Sequence, residues 1–369
     1  MRIGLIAPPW LPVPPPAYGG TEAVIDRLAR GLVAAGHEVR LVTVGESTCP
    51  VPSVWRYETA VEPMENSVLE LAHAITAYDL LEDVDVVHDH TVLGPMVALQ
   101  RRRRPPVATT IHSPFTRDTR TIQRLTAGRI PLVCISRSQR ESAPEIPVAA
   151  VIHHGIDVES FPTGDGAGGY LLFLGRMSPD KGVHQAVAIA RAAGLPLRIA
   201  AKMREEPERQ YFAEQVEPLL GGDVEYVGEA DEPERLRLLQ GALALLNPIQ
   251  WPEPFGLVMI EALATGTPVV GTPFGAAPEI VDHGRTGFLG TTEEELVAAL
   301  AEVGSLDRAA CRESARRRFS TERMVADHAE LYRRLLDAPE PSAPNDRDRD
   351  RDRQARPTGR SGGLVPAAA

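Results

Sequence analysis

Two carboxylates, Glu253 and Glu261, bracket a Phe-Gly turn and an apolar run within the stretch from Trp251 to Val270. Pro254 suits the first position of a helix, where its missing N–H costs nothing. The spacing predicts Glu253 just before a helix start and Glu261 two turns inside. Eight residues at helical rise separate them by about 12 Å along the axis. That span suits gripping two ends of one elongated ligand. It does not suit two carboxylates sharing a proton, nor a glycosidase pair, whose carboxyls stand roughly 5–9.5 Å apart across a bond. The amides of Phe255, Gly256 and Leu257 are expected to be free at the helix start, with a partial positive charge behind them. An anionic ligand such as a sugar diphosphate fits there.

A second constellation is Gly175-Arg-Met-Ser-Pro-Asp-Lys-Gly182, which follows an expected strand and opens a helix. Arg176 offers a bidentate fork and Lys181 a point charge, and both can aim at a phosphate. Alone, the motif also reads as a surface turn with two solvated cations. A third is Tyr18-Gly-Gly-Thr-Glu22, reached through a Pro-rich loop from Pro8 to Pro16. Gly19 and Gly20 let the backbone approach a ligand closely. The bland reading is a capping turn in which Glu22 complements the helix dipole.

The elements that must hold these residues alternate. Ile3 to Ala7 reads as a buried strand. Thr21 can cap a helix with Val24, Leu28 and Leu32 on one face, ended near Gly36. Strands follow at Val39 to Val44, Asp85 to His88, Val107 to Ile111, Leu132 to Ile135 and Val148 to Ile152. The segment Thr163 to Gly169 turns small and flexible, which marks a domain boundary. The pattern then restarts with strand Tyr170 to Leu174, a helix from Gly182 and strand Leu197 to Ala201. A helix near Glu208 to Leu219, strand Val224 to Val227 and helix Glu232 to Gln240 come next. Strand Leu243 to Leu246, the helix after Pro254, strand Val269 to Gly271 and a last helix Thr321 to Leu336 complete it. Such alternation predicts α/β architecture with parallel sheets covered on both faces. Two doubly wound sheets in tandem place a ligand at the C-terminal ends of their strands, in the cleft between them.

Bulk composition narrows the function classes. A chain of 369 residues accommodates two domains with sizeable cores. A net charge of −11 argues against nucleic acid as a partner. No apolar run reaches the roughly 20 residues of a membrane span. The segment Met1 to Ile6 has no secretory layout. Cys49, Cys134 and Cys311 are widely spaced, which disfavours a disulfide framework and suits a reducing cytoplasm. From Ala338 the chain is Pro-rich and then alternates Asp and Arg over Asp346 to Arg353, with little to bury, and is expected to be disordered.

Together, and in this order, these motifs resemble the retaining glycosyltransferases of family 4, which have the GT-B fold: two Rossmann-like, doubly wound parallel-sheet domains facing a central cleft. The resemblance covers most of residues 1 to 337. Its strong parts are Glu253 to Glu261 with Gly266 to Val270, and Gly175 to Gly182. Thr110-Ile-His112, Ile135-Ser136, His154-Gly-Ile-Asp157 with Phe161, and Tyr18 to Glu22 support it. The resemblance implies an acceptor-side domain over 1–162 and a donor-side domain over 163–319. It implies that a C-terminal helix over 320–337 packs back on the first domain, ahead of a disordered tail over 338–369. Arg176 and Lys181 would bind the donor diphosphate and stabilise it as it leaves. Glu261 would accept hydrogen bonds from the ribose. Glu253 would hold the transferred sugar, helped by the amides of Phe255, Gly256 and Leu257. His112 would lie beside that sugar, and Gly19 and Gly20 would approach the diphosphate or the acceptor. His112, Arg176, Lys181 and Glu253 form the implied catalytic set.

The implied reaction is metal-independent hexosyl transfer in the cytoplasm from a UDP- or GDP-sugar, with no further cofactor. The acceptor is a hydroxyl on a small molecule, a glycan or a lipid-linked molecule. Two rivals stand: a GT-B-fold UDP-sugar epimerase, and a nucleotide-sugar-binding protein without turnover. A nicotinamide dehydrogenase fits poorly, since no Gly-x-Gly-x-x-Gly follows the first strand. One departure is Asn247 to Pro252, where family members often have a Pro-Ser pair. Trp251 there either shapes the sugar pocket or simply packs.

Other signals read as structural. His88-Asp-His90 lacks a clear third metal ligand and suits polar packing at a strand end. His153-His154 reads likewise, Asp83-Val-Asp85 is a chance Asp-x-Asp, and Cys134 is core. Arg101 to Arg104 complements a helix C-terminus. A touch of that cluster on anionic lipid is the one membrane contact considered.

Overall fold

The computed structural model describes residues 1–338 apart from Tyr18, Arg102 and Arg103. The aromatic of the glycine turn, the middle of the arginine run and the tail expected to be disordered beyond Ala338 therefore lie outside the described residues.

The first half of the chain builds strands β1 (Arg2–Ile6), β2 (Glu38–Thr43), β3 (Ser53–Trp55), β4 (Val86–Asp89), β5 (Val107–Ile111), β6 (Leu132–Cys134) and β7 (Ala150–Val151). Its helices are α1 (Gly20–Ala34), α2 (Ser67–Leu80), α3 (Gly94–Gln100), α4 (Arg117–Thr126) and α5 (Arg137–Ser142). The second half builds β8 (Tyr170–Arg176), β9 (Leu197–Lys202), β10 (Val224–Gly228), β11 (Ala242–Asn247), β12 (Val269–Gly271) and β13 (Gly287–Leu289). Its helices are α6 (Val183–Ala193), α7 (Glu206–Tyr211), α8 (Glu232–Gly241), α9 (Leu257–Ala264), α10 (Ala277–Ile280), α11 (Glu293–Glu302) and α12 (Arg308–Phe319), followed by α13 (Thr321–Asp337).

The strands form two parallel sheets, ordered β3-β2-β1-β4-β5-β6-β7 and β10-β9-β8-β11-β12-β13. Each sheet reverses its winding direction once, between β1 and β4 and between β8 and β11. A crevice opens at such a point beyond the strand ends. The loops after β1, β4 and β5 in one sheet, and after β8 and β11 in the other, therefore hold the residues with chemistry to do.

Central strands are buried on both faces, so they read as unbroken apolar runs. Ile3, Leu5 and Ile6 of β1 are fully buried, as are Leu171 and Leu172 of β8. Helix α13 leaves the second domain and joins the first core. Met324, Val325, Leu331 and Tyr332 pack with Ile3, Leu5, Val24 and Leu28. Burying a side chain of that size contributes about 1.5–3 kcal/mol. The approach to α1 is close: a Cβ on Gly31 would stand 2.5 Å from Val325 Cγ2.

Several local expectations are corrected. Thr21 does not cap α1: the helix begins at Gly20, with Gly19 in the capping place, and Thr21 lies inside it. Pro254 is not at the first position of α9, because Gly256 takes a left-handed conformation (φ 103°) and the helix begins at Leu257. Glu253 is thus on a loop, the 12 Å axial separation does not apply, and Glu261 sits one turn inside rather than two. The helix expected over 208–219 is α-helical only from Glu206 to Tyr211. A wider turn over Phe212–Val216 and a tight one over Glu217–Leu219 complete that stretch.

Asp83 and Asp85 bond Arg40 and Arg2 respectively, so this Asp-x-Asp spends its carboxylates on ion pairs at the strand starts. Arg101 follows the last residue of α3 and pairs with Asp79 and Glu82. The Cys134 side chain is fully buried. Among the described residues, no helix is long and apolar enough to cross a membrane.

Candidate active site

A cavity of about 770 Å³ lies between the two sheets. Gly19, Gly20 and His112 line it from the first domain; Arg176, Lys181, Glu253, Phe255, Gly256, Leu257 and Glu261 line it from the second. Residues up to 242 positions apart in sequence thus share one wall-to-wall space.

Lys181 reaches the cavity from a tight turn, Pro179–Lys181, closed by Gly182. Gly182 is left-handed (φ 76°), and a Cβ there would stand 2.0 Å from the Pro248 carbonyl oxygen. The Gln250 amide also bonds the Asp180 carbonyl at 2.8 Å. These contacts lock the lysine loop against the loop that carries Glu253. Lys181 Nζ then meets Glu253 Oε1 at 2.5 Å, with both side chains largely buried. The ammonium also sits 5.6 Å from the centre of the Trp251 ring, a cation–π contact. Trp251 lines the cavity and is partly exposed. Arg176, at the end of β8, bonds Asp180 Oδ2 at 3.1 Å and Ser178 Oγ at 3.3 Å, which sets the fork along the rim of the same loop.

Glu253 is fixed from behind. The Ala276 amide bonds its carbonyl at 3.0 Å. Gly275 is left-handed (φ 61°) and packs so tightly that a Cβ would stand 2.1 Å from the Glu253 oxygen. Beyond it, α9 begins. Among the described residues, no protein group accepts from the amides of Phe255, Gly256 or Leu257. The start of α1 faces the start of α9, with Gly20 and Leu257 in contact range: a Cβ on Gly20 would meet Leu257 Cδ1 at 3.4 Å. Two helix N-termini converging on one cavity favour an anion.

Glu261 is 5% exposed. Arg27 from α1 and Arg235 from α8 flank it at 3.7 and 3.5 Å. Sequence reasoning did not find these arginines. The signal for Arg27 was present: Gly20, Ala23 and Arg27 recur at helical spacing on α1, and all three line the cavity. Arg235 meets Glu261 only through the packing of two helices, which no local pattern reveals.

His112, just past β5, does not stand alone. Its Nε2 lies 2.9 Å from His90 Nδ1. Its ring stacks on His154 with centroids 5.2 Å apart, and His154 in turn meets the Phe255 ring edge-on at 5.0 Å. Behind them His88 stacks on His90 at 4.3 Å and bonds Tyr332 and Thr110. His88 and His90 therefore share a face, as expected for a strand end, and both are buried. Burial, reinforced by the neighbouring imidazoles, pushes His88, His90 and His154 well below the usual histidine range. Burial, and then His328, pushes His112 down to about 3. The ring at the cavity wall is a neutral imidazole at neutral pH.

The other expected motifs scaffold the cleft. Ser136 caps α5 by accepting from Gln139 N. Glu279, on α10, accepts from the Arg137 and Ser138 amides and from His153 Nε2, at 2.8–2.9 Å. Phe161 is buried in the same cluster as Phe255.

Two Rossmann-like sheets facing a cleft, with cations on the second-domain wall and a helix start on each wall, define a GT-B glycosyltransferase. Residues 163–318 match the family model for glycosyl transferases group 1, and residues 18–160 match that for glycosyltransferase family 4. A phosphatidyl-myo-inositol mannosyltransferase of Mycolicibacterium smegmatis is 27% identical over 83% of this chain and 85% of its own length. A glycogen synthase of Mycobacterium tuberculosis is 27% identical over 89% and 91%. Among solved structures, AviGT4, a glycosyltransferase involved in avilamycin A biosynthesis, superposes with a TM-score of 0.70. It is 29% identical and covers 92% of this chain and 98% of its own. A sucrose-phosphate synthase from Thermosynechococcus elongatus shares the fold at a TM-score of 0.77, with 20% identity over 92% and 100% of the two chains. The chain belongs to the group 1, family 4 glycosyltransferases and is a transferase.

Proposed function

We propose that the enzyme transfers a sugar from a UDP- or GDP-sugar to a hydroxyl acceptor, with retained configuration and without a metal. The observation that carries this reading is the Lys181–Glu253 pair beside the start of α9, with Arg176 on the same rim. The diphosphate takes the lysine, the arginine fork and the free amides; the ribose takes Glu261; the transferred sugar lies between Glu253 and His112. Donors already in place stabilise charge as it develops on the leaving phosphate, with little reorganisation. The bond from the sugar's anomeric carbon to phosphate breaks. The acceptor oxygen bonds that carbon on the same face, and its proton passes to the departing phosphate.

In this reading residues 1–162 form the acceptor side and 163–319 the donor side, with 320–337 completing the first domain. The acceptor is a small molecule, a glycan or a lipid-linked molecule, and the setting is cytoplasmic. The relatives' names, one a mannosyltransferase and one a glycogen synthase, support hexose transfer from an activated donor.

The test is thermal stabilisation by UDP, GDP, ADP and NAD, each at about a hundredfold over its dissociation constant. Such an excess contributes about 2.7 kcal/mol. One nucleoside diphosphate is expected to raise the midpoint, and Lys181→Ala is expected to lose that shift while keeping the fold. A shift with NAD alone, or none with any diphosphate, would count against the reading. A sugar nucleotide consumed without acceptor to give an epimer would replace transfer with epimerisation.

A further inference from the structure

Helix α2 is apolar around most of its circumference, yet only one side of it is covered. Its sequence, Ser67-Val-Leu-Glu-Leu-Ala-His-Ala-Ile-Thr-Ala-Tyr-Asp-Leu80, supplies Ala74, Ala77 and Tyr78 to the core beneath it. The same buried side anchors two cleft loops. Glu70 Oε1 accepts from the Val92 amide after β4 at 2.7 Å, and His73 Nε2 bonds the Ala7 carbonyl after β1 at 2.9 Å. Asn66 caps the helix by accepting from the Val68 and Leu69 amides. The helix is thus held along its length from beneath.

The opposite side carries Val68, Leu71 and Ile75, which are 75%, 40% and 47% exposed. A helix that is apolar all round is ordinarily buried all round. Positions i, i+3 and i+7 form a straight seam of the kind that packs against a second helix. Met64, two residues before the cap, is exposed as well. Single apolar side chains scattered over a surface are normal, whereas a ridge of them marks a binding face.

The charges around the seam choose the occupant. Glu62 and Glu65, both exposed, precede the helix. They set the face against an anionic bilayer, which attracts basic borders. At the far end Asp79 and Glu82 are already matched by Arg101. Beside that end stands Arg56, whose Nη1 bonds Thr76 Oγ1 at 3.2 Å. The face is therefore acidic ahead of the seam and cationic beside its other end. The seam itself reads nearly the same in both directions. An isologous pair, in which one patch meets its own copy, needs both properties. In an antiparallel pair Val68 meets Ile75 of the other copy and Leu71 meets Leu71. Arg56 then comes over the acidic approach to α2 that carries Glu65.

We propose that α2 is a docking face for a second copy of this chain, in an antiparallel two-fold pair centred on Leu71. No residue of α2 lines the cleft cavity, so pairing leaves the site open. One helix seam is small beside a permanent interface, so the pair forms and dissociates with concentration.

The test is sedimentation velocity on the full chain from about 1 to about 100 μM. Wild type is expected to pass from monomer to dimer over that range. Leu71→Glu sets two carboxylates against each other at the centre of the pair and is expected to weaken it about a hundredfold. The side chain is exposed in the single chain, so the variant is expected to keep the wild-type circular dichroism. A monomer throughout the range, or a dimer that Leu71→Glu leaves intact, would overturn the proposal.

A mixing experiment tests the symmetry. Arg56→Glu and Glu65→Arg each place like charges across the pair, and each alone is expected to weaken it. Mixed in equal amounts, the two variants present opposite charges and are expected to form a mixed dimer. Mixing that restores nothing would overturn the antiparallel pair. A wild type that stays monomeric but pellets with phosphatidylglycerol vesicles, with pelleting lost in Leu71→Glu, would give the face to a bilayer and overturn the proposal.

Discussion

Arg27 and Glu261 face each other across the cleft, one on α1 of the first domain and the other on α9 of the second, with Nη2 and Oε1 3.7 Å apart. Arg235 holds the other carboxylate oxygen at 3.5 Å. One carboxylate thus links the two domains while lying where the ribose is proposed to sit. Glu261→Ala leaves two largely buried guanidiniums facing each other without it. Neither guanidinium hydrogen-bonds the carboxylate, so what is lost is the ion-pair attraction at 3.5–3.7 Å that offsets the desolvation of the two cations. The expected result is a lower unliganded midpoint and a weaker response to UDP or GDP. Glu261→Gln keeps the shape and is expected to lie between. Calorimetric titration with the nucleoside diphosphates checks this, and unchanged affinity in Glu261→Ala would remove the ribose role.

Gly275 tests whether the backbone behind Glu253 sets the site. A Cβ there would stand 2.1 Å from the Glu253 oxygen and 2.4 Å from its nitrogen, at a φ of 61°. Gly284 has a similar φ of 76° but open space around it. Both Gly→Ala changes carry backbone strain of about 1–3 kcal/mol. Only Gly275→Ala also displaces Glu253 from Lys181. Scanning calorimetry is expected to show loss of stability in both variants, and diphosphate binding to fall in Gly275→Ala alone.

Acid sensitivity follows from the buried titratable groups. Eight histidines are held below their usual range chiefly by burial: His88, His90 and His154 well below, His73 and His328 at about 4, His112 at about 3, and His37 and His184 in the same direction. Below pH 6.5 the unfolded chain binds protons that the native state refuses, so stability is lost as pH falls from about 6.5 toward 4. Burial pushes Glu22 and Glu70 up to about 7 and Asp89 to about 6, which acts in the opposite sense. These carboxyls bind protons in the native state first, so they add stability as pH falls through the same window. The lowered histidines outnumber these three carboxyls, so the balance is a loss of stability as pH falls. The thermal midpoint is expected to fall between pH 6.5 and 4.5. A flat or rising midpoint would contradict the buried, neutral histidines.

Glu279 joins the domains on the other side of the cleft. Burial raises its pKa, but His153 and the Ser138 and Arg137 amides outweigh that and hold it below the usual carboxylate range. A depressed pKa means its contribution is present above about 4.5 and is lost on acidification through the native value. Glu279→Ala strands two amides at the start of α5, at about 1–3 kcal/mol. Faster hydrogen exchange at Arg137 and Ser138 is the expected signature.

Much of this architecture was legible because central parallel strands announce themselves. Runs such as Val107 to Ile111 are apolar throughout, and each found its place in a sheet. The edge strands Ser53–Trp55 and Gly287–Leu289 were not foreseen, since three residues give no measurable period. Helix α12 was hidden for another reason. Its buried face is Cys311, Ser314 and Ala315, small residues among five arginines, with Phe319 only at its last position, so it carries almost no apolar stripe. At the site, the residue types of the two cleft loops were readable, but the start of α9 was not. Pro254 imitates a helix opening, and the left-handed Gly256 postpones it to Leu257. His90 was visible as half of a pair at a strand end, yet its contact with His112 depends on the register of β4 beside β5.

The chain crosses between the domains twice, near Gly155 and again at Ser320, and the two crossings touch: Ile156 bridges Ser320, and a Cβ on Gly155 would stand 2.5 Å from the Ser320 oxygen. The halves are therefore not separable cassettes. A fragment ending at residue 319 would lack the helix that covers Val24 and Leu28 and would expose a greasy, aggregation-prone face. A chimera that borrows another enzyme's donor half must splice at both crossings and carry α13 with its own acceptor half, so exchange of specificity in this scaffold is a two-junction operation.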